Sequence, residues 1–181
     1  MTRANNTDLK DVWQTPDEII EMLQPIDVDP CAGRDTTIGQ DANYTDLDNG
    51  LTKKWHGRVF VNPPFSDKKS WLQKAISEKD RTEAIFVLTP DGTDTKSWWH
   101  EYIAAEADYI WFSRGRVSYV VPEARAYLFD KYEGGETAGS PSGETAGSPT
   151  FGTAISIFGE PGEETLERMS ERGQLLQTYT P

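Results

Sequence analysis

The stretch Val59-Phe60-Val61-Asn62-Pro63-Pro64-Phe65 concentrates the residue types best suited to chemistry. Its first three residues, β-branched and aromatic, read as a buried strand. Two consecutive prolines then follow Asn62. Proline has no N–H to donate and holds φ at about −65°, and each one pushes the residue before it into an extended conformation. The chain therefore leaves the strand end as a stiff, bent rod. The Asn62 side chain and the Asn62 and Pro63 carbonyls are left to face a ligand, beside an aromatic plate, Phe65. Hydrogen-bond acceptors next to a stacking surface are what is needed to hold an exocyclic amine while its base is stacked. The same residues also suit a plain strand ending in a Pro-rich turn.

Two further strand ends carry unusual residues, Asp29-Pro30-Cys31-Ala32-Gly33 and Thr89-Pro90-Asp91-Gly92. The elements that must position all three are legible. Thr15-Pro16-Asp17-Glu18 marks a helix start, with Thr15 placed to cap, Pro16 at the first helical position and Glu18 completing a capping box. Ile19, Ile20 and Leu23 give that helix an apolar stripe. A short strand follows over 26–29 and another near 42–44. After the strand at 59–61, residues 68–79 have helical periodicity with Trp71, Leu72, Ala75 and Ile76 on one face. Residues 84–88 are all apolar, as in a strand covered on both faces. Thr95 caps a helix running to about residue 105, with Trp98, Trp99, Tyr102 and Ile103 inside. Strands are expected at 109–112 and 117–121, and 153–158 reads as the later partner of the latter. Alternating strands and helices argue for an α/β sheet with helices on both faces, and such sheets bind ligands at the carboxyl ends of their strands.

The chain has 181 residues, consistent with one domain spanning 1–181: a core over about 12–158, an insertion over about 133–150 and an acidic tail over 160–181 that holds one short helix over 163–172. Within the insertion, Gly135-Glu136-Thr137-Ala138-Gly139-Ser140-Pro141 recurs as Gly143-Glu144-Thr145-Ala146-Gly147-Ser148-Pro149. That composition cannot bury a core and reads as a flexible loop. A single Cys rules out an intramolecular disulfide and a Cys-rich zinc site, and two His give a metal centre little support. No apolar run reaches the roughly 18 residues of a membrane span, and the first residues lack the apolar core of a signal peptide, so the expected location is cytoplasmic. The net charge of −12 conflicts with nucleic-acid binding. Either the chain has no such partner, or it belongs to a very salty cytoplasm, where a Debye length of about 3 Å at 1 M salt removes most repulsion from phosphate.

Several of these pieces together resemble the compact phage-type DNA N6-adenine methyltransferases. In the family's order they are Trp13-x-Thr15-Pro16, Asp29-Pro30-Cys31-Ala32, Asp48-x-Gly50-Leu51 before Trp55, Val59-x-Val61-Asn62-Pro63-Pro64-Phe65, Trp71-x-x-Lys74-Ala75, Leu88-x-Pro90, Asp94-Thr95-x-x-Trp98 and Gly115-Arg116-Val117-x-Tyr119. The resemblance covers roughly residues 12–158. It implies a minimal Rossmann-like fold, a mixed sheet with helices on both faces, that uses S-adenosylmethionine as cofactor and DNA as substrate.

By the same resemblance, Trp13, Thr15 and Pro16 sit at the methionine end of the cofactor, Asp29, Pro30, Cys31 and Ala32 form its floor, and Asp48 lies near the adenosine, although Asp46 is equally available. Asn62 and the Pro63 carbonyl accept from the target amine, Pro64 stiffens the turn, and Phe65 stacks on a base flipped from the duplex. Asp29 also fits a plain turn cap. Arg114 and Arg116 fit either a phosphate grip or a solvated turn. The chain departs from larger methyltransferases in lacking a many-glycine loop after the first strand, and in the short span from Asp29 to Val59. Rival readings are methylation of cytosine N4, methylation of RNA or protein, and an inactive cofactor-binding module.

Overall fold

A computed structural model describes residues 14–119 and 152–178. In chain order the elements are α1 (Asp17–Leu23), β1 (Val28–Asp29), β2 (Ala42–Asn43), β3 (Arg58–Val61), α2 (Lys68–Glu78), β4 (Ala84–Pro90), α3 (Lys96–Ile103), β5 (Tyr109–Ser113), β6 (Thr153–Gly159), α4 (Glu163–Arg172) and β7 (Gly173–Gln177). The helix α3 has the wide turns of π geometry and passes into a short α-helical turn, Ala104–Glu106. The strands form one seven-stranded mixed sheet in the order β2-β1-β3-β4-β6-β5-β7. The pairs β1/β2, β1/β3 and β3/β4 are parallel, while β6 runs antiparallel to both β4 and β5. The carboxyl ends of β1 to β5 therefore share one edge of the sheet.

Both faces of the sheet are covered, and alternation along the strands shows why. Phe60, Phe86, Leu88 and Trp111 point to one face, where they join Ile19, Leu23 and Met169 from α1 and α4. Val59, Val61, Ile85 and Val87 point to the other, where Leu72, Ala75, Trp99 and Ile103 from α2 and α3 meet them. Successive strand side chains go to opposite faces, so an unbroken apolar run such as Ala84 to Leu88 is stable only between two helical layers.

The amino end of β3 holds the first layer in place. Arg58 is buried. Its Nε donates to the Pro25 carbonyl at 2.7 Å, its Nη1 to the Pro161 carbonyl at 2.6 Å, and its Nη2 to the Leu23 carbonyl at 2.8 Å and Thr165 Oγ1 at 2.9 Å. The guanidinium also lies 5.2 Å from the Phe86 ring centroid, a distance at which a cation is attracted to the ring face. Burial lowers its pKa from the ordinary arginine value. Arg168 of α4 adds bonds to the Met22 and Gln24 carbonyls. Together the two arginines cap the exposed carbonyls at the end of α1, where the helix dipole favours positive charge.

Three expectations need correction. Thr15 does not cap α1: the cap position is Pro16, and the helix begins at Asp17 with no side-chain cap bond. Residues 117–119 form no strand, and residues 120–121 lie outside the described residues. The strand at 153–159 pairs instead with β4 and β5: its seven residues, the first six of them buried, match β4 residue for residue. The tail holds α4 as expected, and also an edge strand, β7, paired with β5. The insertion repeat lies outside the described residues.

Replacing Arg58 with Met keeps the apolar stem and leaves three buried carbonyls without their donor. Such groups cost about 1–3 kcal/mol each when unsatisfied. Arg58→Met is therefore expected to lose about 3 kcal/mol or more in urea unfolding. A loss below about 0.5 kcal/mol, the range of ordinary surface changes, would remove Arg58 from this role.

Candidate active site

After β1 the chain pairs β2 on one flank and then returns to place β3 on the other. Loops leaving β1 and β3 must therefore diverge, and a crevice opens at their carboxyl ends. A cleft of about 1240 Å³ lies there. Its lining brings together the entry to α1 (Thr15, Pro16), the end of β1 (Asp29, Pro30, Cys31, Ala32) and the end of β3 (Asn62, Pro64). The sequence spaces these residues far apart, and the parallel register unites them.

At the α1 side, Asn62 Nδ2 donates to Thr15 Oγ1 at 3.1 Å. The hydroxyl that was expected to cap α1 is instead turned toward the motif asparagine. An amide nitrogen only donates, so Oδ1 is the side-chain atom of Asn62 with acceptor chemistry.

On the floor, Asp29 is 2% exposed. Its Oδ1 accepts from the Cys31 N–H at 3.0 Å. The residue thus both caps the turn and lines the cleft. Burial pushes its pKa up to about 7, against the lowering effect of the Cys31 bond. Cys31 is half-buried and lines the same wall.

On the β2 side the two aspartates part company. Asp48 does not line the cleft. Its carboxylate accepts from the Thr45 N–H and Oγ1, both at 2.9 Å, and closes a tight turn. These bonds hold its pKa below the usual carboxylate value. Asp46 lines the cleft instead and forms a two-pronged pair with Arg34, at 2.9 and 2.7 Å. The turn continues through Asn49, in the left-handed region at φ 52°, to Gly50. A Cβ on Gly50 would stand 1.8 Å from the Pro30 carbonyl oxygen. Glycine is required there by contact with the floor, and the Trp55 indole donates to the Gly50 carbonyl at 3.1 Å. The spacing Asp48-x-Gly50-Leu51 before Trp55 thus describes a wedge under the floor.

At the end of β3, Pro63 is buried, Pro64 lines the cleft, and Phe65 is only 8% exposed. The Phe65 ring packs in the cluster of Ile19, Ile20 and Met22. The expected open aromatic plate is therefore not formed. A turn closed by the Asp67 N–H on the Pro64 carbonyl, at 2.9 Å, swings the residue inward.

The third strand end takes no part in the cleft, since Asp91 accepts from the Gly152 N–H and ties the end of β4 to the start of β6. Trp13 lies outside the described residues. Arg114 and Arg116 are exposed just past β5 on the carboxyl edge of the sheet. Three strand spacings separate β5 from β3, about 14 Å. Sequence reading missed Arg34, Tyr44 and Trp71 as lining residues, and held Asp46 only as the alternative to Asp48. Only the Asp46/Asp48 ambiguity signalled any of them. Among the described residues, no group of three or more His, Cys, Asp or Glu is placed to hold a metal, and no helix is long and apolar enough to cross a membrane.

The mixed α/β sheet thus carries an asparagine-diproline turn at its crevice. The chain belongs to the DNA N-6-adenine-methyltransferase (Dam) family, whose model matches residues 3–134. It is also similar to the DNA N-6-adenine-methyltransferase of Escherichia phage T1, with 27% identity over 110 residues. That match covers 57% of this chain and 45% of the phage protein, so the chain spans about half of its relative's length.

The raised pKa of Asp29 predicts a pH effect on the unliganded protein. An acid whose folded pKa lies above its unfolded value stabilises the fold fully below the unfolded pKa and loses that contribution as pH rises through the folded one. The window runs from the ordinary value of 3.8 to about 7. Asp29→Asn is thus expected to melt with the wild type at pH 4 and above it at pH 8. Parallel melting curves across that range would show that Asp29 carries no buried charge.

Proposed function

We propose that this chain is an S-adenosylmethionine-dependent methyltransferase acting on the N6 amine of adenine in DNA. The carrying observation is that Asn62, its amide nitrogen held by Thr15, lines the same cleft as the buried Asp29, at the end of the neighbouring strand. Family membership and the name of the phage relative support the choice of adenine. The strand order, with antiparallel β6 inserted between the parallel β4 and β5, supports a Rossmann-like methyltransferase sheet.

The residues fit the cofactor. Asp29 is a nearly buried carboxylate in the cleft wall whose burial disfavours its charge, and donors or positive charge from a ligand would relieve that. Thr15 and Pro16 would hold the methionine end, the turn Asp29 to Ala32 the floor, and Asp46, in place of Asp48, the adenosine end. S-adenosylmethionine, when bound, supplies a methyl group activated by a sulfonium. The Oδ1 of Asn62 and the Pro63 carbonyl would accept from the target amine and orient its lone pair. The nucleophile is the amine itself, so the protein's contribution is alignment and preorganised acceptors. Stacking on a flipped base requires Phe65 to turn out of the core. Arg114 and Arg116 would meet phosphate on the flank of the site.

Labelled methyl transfer to unmethylated DNA tests the reading, with mass spectrometry of the product nucleosides. N6-methyladenine supports it, N4-methylcytosine moves the activity to the other amine, and no product with intact cofactor binding favours a non-catalytic module. Asn62→Ala is expected to lower the rate about 10²–10³-fold, with cofactor affinity nearly unchanged. Near-wild-type transfer by this variant would remove Asn62 from the chemistry.

The net charge of −12 fits a host with a saline cytoplasm, a virus-infected cell included. Both melting temperature and methyl-transfer rate are then expected to rise from low salt to about 1 M, as screening removes self-repulsion and repulsion from phosphate. A maximum near about 0.1 M with steady decline above it, as counterion release dictates for basic DNA binders, would reject salt adaptation.

A further inference from the structure

The turn after Asn62 is followed at once by two lysines, Lys68 and Lys69, in the first turn of α2, which holds no acidic residue. Positive charge at a helix start opposes the helix dipole; Asp67 at the cap position is the nearest opposite charge along the chain, and each lysine has further partners. For Lys68 the compensation is visible. Its Nζ donates to the Phe65 carbonyl at 2.6 Å and lies 5.2 Å from the centroid of the Trp98 ring. Trp98 belongs to α3, and a Cβ on Gly92, just past β4, would stand 2.9 Å from its ring. Lys68 is half-buried, whereas Lys69 is exposed.

We propose that Lys68 is a positioning residue for the acceptor turn, fixing its Phe65 end and tying it to Trp98 of α3. This rests on the methyltransferase reading for its consequence, though not for its geometry. Pro63 and Pro64 make the turn a stiff rod. One end is set by β3 and the Asn62–Thr15 bond. The other end has the Lys68 bond and the Asp67-to-Pro64 backbone bond. A stiff rod held at both ends places the Asn62 and Pro63 acceptors; released at one end, it pivots and carries them off line. The cofactor floor is the turn after β1, flanked by the loop after β2 and the entry to α1, so it does not depend on Lys68.

The test compares the wild type with Lys68→Met, which keeps the stem and removes the cation, and with Lys68→Arg, which keeps a cationic donor. Hydrogen exchange at the Ser66 and Asp67 amides reads the turn without reference to activity. Lys68→Met is expected to speed that exchange about tenfold or more, while the melting temperature and cofactor affinity stay near those of the wild type. The kcat for methyl transfer is expected to fall by about 10–100-fold, since small misplacements of reacting groups cost that much. Lys68→Arg is expected to restore most of both losses. Unchanged exchange in Lys68→Met overturns the proposal, and so does faster exchange with an unchanged kcat. If the wild type transfers no methyl group to DNA, the methyltransferase reading fails, while the exchange measurement still decides the positioning role.

Discussion

The structure depends on one buried cation. Arg58 begins β3 and Asn62 follows its last residue, so the two ends of one short strand carry the main structural anchor and the main candidate acceptor. Guanidinium suits the first task because its fixed fork can satisfy several carbonyls at once, with the charge strengthening each bond. By gathering the carbonyls of Leu23, Pro25 and Pro161, Arg58 fixes where α1 ends and where α4 starts. Since α1 is only seven residues long, fixing its end also fixes its entry. Thr15 thereby comes within reach of Asn62. The geometry of the cleft is set from the far edge of the sheet.

The polar groups at the strand ends and in their loops differ in how far the protein satisfies them. Asp48 is spent on Thr45 and Asp91 on Gly152, both outside the cleft, while Arg34 and Asp46 pair at its exposed mouth. Asp29 stands apart: it is nearly buried, and the turn supplies one backbone donor that does not offset its desolvation. Strongly shifted groups in clefts mark functional sites more often than chance allows, because structural positions are relieved of such costs. The inward Phe65 is the counterpart among apolar groups. Burying it favours the closed turn, and any stacking role must compete with that burial.

Much of this was legible in the sequence, and particular residues show why. The all-apolar run from Ala84 and the helical stripe of Trp71, Leu72 and Ala75 declared their elements, because periodicity follows directly from which faces must be buried. The Asn62-Pro63-Pro64 turn declared itself through proline stereochemistry, which is local. The choice between Asp46 and Asp48 was not legible. The two residues lie in one polar loop, both exposed, and only the turn closed on Thr45 takes Asp48 out of the cleft lining and leaves Asp46 in it. Thr15 misled for a similar reason: its sequence context is that of a helix cap, yet a partner 47 positions away claims its hydroxyl.

The sequence by itself therefore determined most of the elements, though not β7, together with the stiff turn and the composition of the strand ends, since these rest on backbone stereochemistry and on the pattern of burial. Tertiary structure decided which strand ends meet. The reversal of strand order around β1 joined the ends of β1 and β3 and left the end of β4 to β6. It also decided that Phe65 faces inward and that 153–159 pairs with β4. These outcomes depend on contacts between distant segments, where a hydroxyl, a ring or a strand edge goes to the neighbour that relieves the most desolvation, and no local pattern records which neighbour that will be.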